Sequence, residues 1–145
     1  MDSTFKTIRL TVNTHSNLCY TNDDKTWIKI EHDNYHPKKD ITLNLDGKSY
    51  IRFKAKYDAH IIPIEFFDDT KQLDGINISG IMQTIGLGDE YDMPCYFDFN
   101  YSELFKDCTK WSFNGLKFKK DIPRYVRYSY MFANCKGLTQ IPEGF

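Results

Sequence analysis

Four cysteines and four histidines are the side chains of this 145-residue chain best suited to hold a metal ion or to drive a nucleophilic reaction. Their spacing fits neither use. Cys19, Cys95, Cys108 and Cys135 form no Cys-x-x-Cys pair and have no histidine at ligand spacing, so zinc coordination and a dithiol redox motif both lack their pattern. Unpaired cysteines of this kind read as small buried hydrophobes. His15, His32, His36 and His60 are scattered among turn residues and strand ends, with no His-x-x-x-His pair and no serine or cysteine in a strained elbow. A hydrolytic triad would have to arise through long-range packing alone. Asp89, Glu90 and Asp92 follow a glycine-rich bend and offer oxygen ligands for calcium, but the alternation of acids ending in Glu that builds an EF-hand is missing. "GLGDE" is no phosphate cradle, because no Lys-Ser/Thr follows it and its acids would repel the anion. The expectation is a protein with no catalytic residue, no metal and no cofactor.

One stretch has the composition of a contact surface. "KFKKDIPRYVRY" (117–128) sets Lys117, Lys119, Lys120, Arg124 and Arg127 among Phe118, Tyr125 and Tyr128. Basic and aromatic residues interleaved in this way can stack single-stranded nucleic acid or contact a glycan or polyphosphate, and an ordinary solvated loop has the same composition. Lys119, Arg124, Tyr125 and Arg127 are the residues chosen for an interaction surface, since Tyr and Arg carry a large share of binding energy at interfaces.

The whole chain has a formal charge of −1, with 41% hydrophobic and 27% charged residues. That balance belongs to a folded protein rather than a disordered one. It creates no long-range field to gather nucleic acid or an anionic membrane, so neither is an expected partner. "MDSTFKTIRLTVNT" lacks a basic region followed by an apolar one, and no apolar run reaches the roughly 18 residues of a membrane span. Secretory export and membrane insertion are therefore not expected of the chain as written.

Aromatic residues make up 16% of the chain, with 11 Phe and 10 Tyr, and together with alternating Ile, Thr and Val they favour strands. From residue 5 to 67 the apolar period is two. Ile8, Leu10 and Val12 share one face of "TIRLTVN", and Ile28 and Ile30 share one face of "WIKIE". In "DITLNLDGKSYIRFKAKY", Ile41, Leu43 and Leu45 alternate up to Asp46-Gly47, and Ile51, Phe53, Ala55 and Tyr57 alternate away from it, which predicts a hairpin with one wet face. "IIPIEFF" predicts a further strand that Pro63 confines to a sheet edge. About five strands with polar turns predict a small antiparallel sandwich of immunoglobulin-like type over residues 1–72.

Residues 73–145 follow a different pattern, first the glycine-punctuated "GINISGIMQTIGLGDEY" and then a repeat. "YSELFKDCTKW" and "YSYMFANCKGL" match Tyr101 with Tyr128, Ser102 with Ser129, Leu104 with Met131, Phe105 with Phe132, Cys108 with Cys135 and Trp111 with Leu138, all at an offset of 27. A period of roughly 20–29 residues with an apolar ladder is the length of one leucine-rich-repeat coil. Leu104, Phe105, Cys108, Trp111, Met131, Phe132, Cys135 and Leu138 are accordingly predicted to form the inner ladder of a solenoid. Such a coil cannot bury its apolar side alone, so residues 128–145 are expected to be covered by a further coil or by another subunit.

"S-x-LF-x-x-C" and "S-x-MF-x-x-C-x-x-LT-x-IP" resemble the BspA-like leucine-rich repeats of large surface proteins of Bacteroides, other bacteria and protists, and of phage proteins. The leader is similar as well: "YTNDDKTW" (20–27) resembles a "YS-x-D-x-x-x-W" segment, and "ISGIMQTIGLGDEY" (78–91) a "SGNIMSLLYGD"-like junction. The first unit departs from the pattern at Trp111, where the repeats carry Leu, and in "FNGLKFKKDIPRYV". A capping coil at the start of a solenoid is expected to depart in this way.

The resemblance implies interaction rather than catalysis. With no export signal in view, and a Lys-, Asn-, Tyr-, Ile- and Phe-rich composition suited to an AT-rich genome, the expected role is that of a phage virion protein, a head or tail fibre or decoration. Its leader would be anchored to other virion proteins, with self-association, and its repeats would be displayed towards a host receptor or glycan. A bacterial cell-surface adhesin is the neighbouring expectation, and a carbohydrate-binding accessory domain of a polysaccharide-active enzyme is the third.

Overall fold

A computed structural model describes residues 7–44, 50–56, 62–88, 99–118 and 126–145. The protein is mostly β, built of small sheets that form no closed barrel among the described residues. Strand β1 (Thr7–Asn13) buries Ile8, Leu10 and Val12 and turns Thr7 and Arg9 outward, as its alternation predicts. It lies at the centre of an antiparallel sheet between β4 (Lys38–Asn44) and β6 (Ile64–Phe66). Leu10 stands opposite both Ile41 and Phe66. The edge position expected for the Pro63 segment is observed, and the Pro63 carbonyl accepts from Asn13 N at 2.9 Å.

After a short 3₁₀ turn at Thr14–Ser16, Asn17 in the left-handed region (φ 51°) redirects the chain into a second antiparallel sheet. This sheet is ordered β3 (Ile28–Lys29), β2 (Cys19–Thr21), β5 (Arg52–Lys56). Asp23 shapes the β2–β3 turn, its Oδ1 accepting from the N–H groups of Lys25 and Thr26, both at 2.8 Å.

Two sequence expectations are corrected here. The hairpin across Asp46-Gly47 is not formed among the described residues: β4 pairs with β1 and β5 pairs with β2, in different sheets. An isolated two-stranded hairpin is marginal in water, whereas β1 offers β4 seven registered partners and an apolar face. Tertiary pairing therefore overrides the local turn signal. The second correction is Ile28, which is 49% exposed while Ile30 is buried, because β3 is a two-residue edge strand whose face is shared only at one end.

Beyond β6, helix α1 (Asp68–Lys71) is tied back to β1: Arg9 N donates to Thr70 Oγ1 at 2.8 Å, and Arg9 Nη1 pairs with Asp69 Oδ2 at 2.8 Å. Three stretches follow, residues 76–88, 99–118 and 126–145, called the first, second and third coil below. The first holds β7 (Gly80–Ile81) and α2 (Thr84–Leu87), the second β8 (Phe99–Asn100) and β9 (Leu116–Lys117), the third β10 (Val126–Arg127). β7 pairs with β9 and β10 pairs with β8, both in parallel. The sheets and coils share one apolar core. Phe66 of β6 meets Trp111 edge-on at 5.0 Å, and Ala55 of β5 bridges Ile85. These contacts run across the boundary placed at residues 72 and 73 from sequence. No helix among the described residues is long and apolar enough to cross a membrane.

Candidate functional site

The second and third coils are copies of one backbone conformation. Glu103 and Tyr130 are both left-handed (φ 60° and 57°), as are Asp107 and Asn134 (φ 64° and 59°). The tight turns recur in step: Leu104 N to Tyr101 O matches Met131 N to Tyr128 O, and Cys108 N to Phe105 O matches Cys135 N to Phe132 O. The coils are joined by a ladder in which Tyr101, Glu103, Phe105 and Asp107 donate their N–H groups to the carbonyls of Arg127, Ser129, Met131 and Ala133 at 2.8–3.0 Å.

Side chains stack on this ladder. Phe105 lies over Phe132 with ring centroids 5.7 Å apart and planes inclined by 28°. Tyr101 tilts over Tyr128 at 6.1 Å, and its hydroxyl donates to the Ile85 carbonyl at 2.7 Å, reaching the first coil. Leu104, Phe105, Cys108, Trp111 and Met131 are buried, and Phe132, Cys135 and Leu138 are half-buried against them. The predicted ladder residues are thus brought together. Half-burial in the third coil follows from its place at the end of the described stack. Trp111 carries one cost, since its Nε1 is buried with no acceptor among the described residues.

Burial pushes the Cys108 thiol up to about 12, with the neighbouring Cys135 adding to it, and burial also raises Cys135. The Cys135 thiol donates to the Phe105 carbonyl at 2.9 Å. Thiols held protonated in this way are poor nucleophiles and poor metal ligands. Among the described residues no group of three or more His, Cys, Asp or Glu side chains converges on a point. His15 and His32 do meet, ring centroids 4.0 Å apart, and His36 Nδ1 lies 3.2 Å from Asp33 Oδ2. The histidines at 15 and 32 are therefore brought together, which their spacing does not suggest. Cys95, His60 and the acids at 89, 90 and 92 lie outside the described residues.

Of the four residues chosen as an interaction surface, Arg127 is exposed at the rim of the third coil. Lys119, Arg124 and Tyr125 lie outside the described residues. Exposed apolar surface gathers elsewhere on that coil: Ile141 is 80% exposed and Phe145 is 54% exposed, and with Phe132, Leu138 and Pro142 they border a groove of about 190 Å³.

Asn77 joins the first two coils without having been singled out by sequence. Its Oδ1 accepts from Ser112 Oγ at 2.8 Å and Asn114 N at 2.9 Å, and its Nδ2 donates to the Asn114 carbonyl at 3.1 Å. The first coil shares none of the Tyr-Ser-x-x-Phe signature, so the repeat count misses it. Ile-x-Ile occurs once within 76–88, at Ile76 and Ile78, so no repeat pointed to it.

In the leader, a cleft of about 430 Å³ opens between the two sheets, lined by Tyr20, Asn22, Thr26, Thr42 and Asn44 with Ile28, Leu43 and Ile51. Thr21 and the Asp23 carboxylate complete the lining, which mixes apolar side chains with hydroxyl and amide groups.

No family model, curated protein or solved structure matches the chain.

Proposed function

We propose that the chain is a structural and binding module without catalysis, in which a leader of immunoglobulin-like sandwich type carries the first coils of a BspA-like leucine-rich-repeat solenoid. Its proposed setting is a phage virion, where the leader anchors to capsid or tail proteins and the coils are displayed for attachment. The observation that supports it most is the conformational repeat at one offset, 27, in which turns, left-handed residues and stacked aromatic rings all recur. A stack of this kind presents an extended surface rather than a catalytic cavity. The buried, protonated thiols are consistent with a packing role.

Immunogold labelling with an antibody to the chain tests the setting. Label on fibres or heads of phage particles is the expected result. Label confined to a bacterial surface moves the assignment to an adhesin, and absence from both removes the display role.

A carbohydrate-binding accessory module is the second reading, and it draws on the leader cleft, whose hydroxyl and amide groups suit a neutral polyhydroxylated ligand. Glycan binding that is lost in Asn22→Ala and Asn44→Ala variants would favour it over the anchor.

A further inference from the structure

The two edges of the β1 sheet meet different surroundings. β6 faces the coils, where Phe66 packs on Trp111, whereas β4 stands at the far edge with no strand beyond it among the described residues. Backbone bonds fix which groups that edge presents. Phe67 N donates to the Arg9 carbonyl at 3.0 Å and Asn13 N to the Pro63 carbonyl at 2.9 Å, so the odd-numbered residues of β1 bond towards β6. Thr14 N donates to the Pro37 carbonyl at 2.7 Å, which puts the even-numbered residues on the β4 side. Through the register, Lys39, Ile41 and Leu43 bond to β1, and the N–H and C=O groups of Asp40 and Thr42 point away from the sheet. Both residues are exposed. Edge strands are ordinarily guarded by lysine, proline or a bulge. The stretch from Asp40 to Asn44 contains neither lysine nor proline and runs against β1 without a bulge.

We infer that this edge is the surface on which a second copy of the chain docks, β4 against β4 in antiparallel pairing about a twofold axis at Thr42, joining two three-stranded sheets edge to edge. An isologous contact must set each residue against one it tolerates in its own copy. About Thr42 the sequence is self-complementary: Thr42 meets Thr42 of the second copy, Asp40 meets Asn44, and Ile41 meets Leu43, with no charge opposite a like charge. Threonine pairs and apolar pairs of this kind favour an antiparallel ladder. Neighbouring registers are worse, since an axis at Asp40 opposes two carboxylates, one at Lys39 opposes two ammonium groups, and one at Ile41 sets Lys39 against Leu43. The axis at Thr42 also satisfies the outward backbone, because the Thr42 N–H of each copy reaches the Thr42 carbonyl of the other. Ile41 is half-buried, and Ile28, which lines the leader cleft beside Thr42 and Leu43, is 49% exposed. The Ile41 and Leu43 side chains of the second copy would extend the apolar face over that flank. The inference concerns the leader alone and rests on neither the virion setting nor the stacking of coils, so absence of immunogold label leaves it standing.

Sedimentation equilibrium of the intact chain from about 1 µM to about 0.3 mM tests the inference, and a monomer–dimer equilibrium is the expected result. Thr42→Pro removes an outward N–H and no bond to β1, and Thr42→Lys brings two ammonium groups together at the axis. Each is expected to weaken the dimer by at least about tenfold while circular dichroism shows the fold retained. Ile141→Asp, on the exposed apolar rim of the third coil, is expected to leave the dimer unchanged. A chain that stays monomeric throughout the range overturns the proposal. So does a dimer that survives Thr42→Lys, and so does one that Ile141→Asp abolishes.

Discussion

Phe105 and Phe132 stack across the joint between two successive coils, ring centroids 5.7 Å apart and planes inclined by 28°. Phe105 is also 5.3 Å from Phe113 and 6.4 Å from both Phe66 and Trp111, so one ring links the coils to the leader sheet. Its partner sits at the rim, half-buried.

That asymmetry predicts unequal losses. Phe105→Ala should destabilise the fold by about 3–5 kcal/mol, the range for emptying a buried aromatic site. Phe132→Ala should cost less, because that ring is already partly exposed to solvent. Urea unfolding of both variants checks this, and equal losses would count against the stacking order.

Two glycines are required by space. A Cβ at Gly137 would strike the Trp111 carbonyl, and one at Gly144 would strike the Phe118 carbonyl, with Gly144 also at φ 82°. Gly137→Ala and Gly144→Ala should each lower stability by about 1–3 kcal/mol, as overpacking against backbone does. Gly80→Ala meets no atom within contact and carries only the strain of its φ of 98°. Thermal melts of the three should rank Gly80→Ala as the mildest.

Tyr130 is 70% exposed and holds a left-handed φ of 57°, a conformation disfavoured for a bulky L-residue. Tyr130→Gly should leave the melting temperature unchanged or raise it, a gain of up to about 1 kcal/mol from released backbone strain. Ser129→Gly, at a neighbouring site without positive φ, should lower it. The opposite ranking in parallel melts would argue against the left-handed turn at 130.

Cys108 and Cys135 should resist alkylation in the folded protein at pH 8 and react only on unfolding, since burial holds both thiols protonated. A Cys19→Ser, Cys95→Ser background with peptide mapping isolates the two sites. The same burial makes stability fall at alkaline pH. The Cys108 thiol ionises near 9.0 when unfolded and near about 12 when folded. Between those values the unfolded chain releases a proton that the folded chain keeps, so the contribution is intact below pH 9 and is lost progressively towards pH 12. A Cys108→Ala variant should show a shallower alkaline decline in urea titrations.

The repeat was legible because its physical requirements are local. A coil that turns through left-handed residues and buries Leu104, Phe105 and Cys108 must write those residue types at the same spacing each time it recurs, and Met131, Phe132 and Cys135 repeat them. The buried face of β1 was legible for a similar reason, since alternation at Ile8, Leu10 and Val12 exposes one orientation only. The first coil was not legible. It makes its contact through Asn77 hydrogen bonds and short parallel pairing, which leave no periodic apolar signature. The pairing of β4 with β1, in place of β5, was equally hidden, because a turn sequence such as Asp46-Gly47 records what the chain can do locally and not which distant strand offers more.

The sequence by itself determined the residue types that strands and coils need: the period of two through the leader, the offset of 27 between the second and third coils, and the lack of any motif spacing for metal or nucleophile. Tertiary structure decided which strands share a sheet and that residues 76–81 pair with the first of the two visible repeats. These are outcomes of competition between distant segments for one apolar core, and side-chain identity read in order along the chain carries no record of which segment wins.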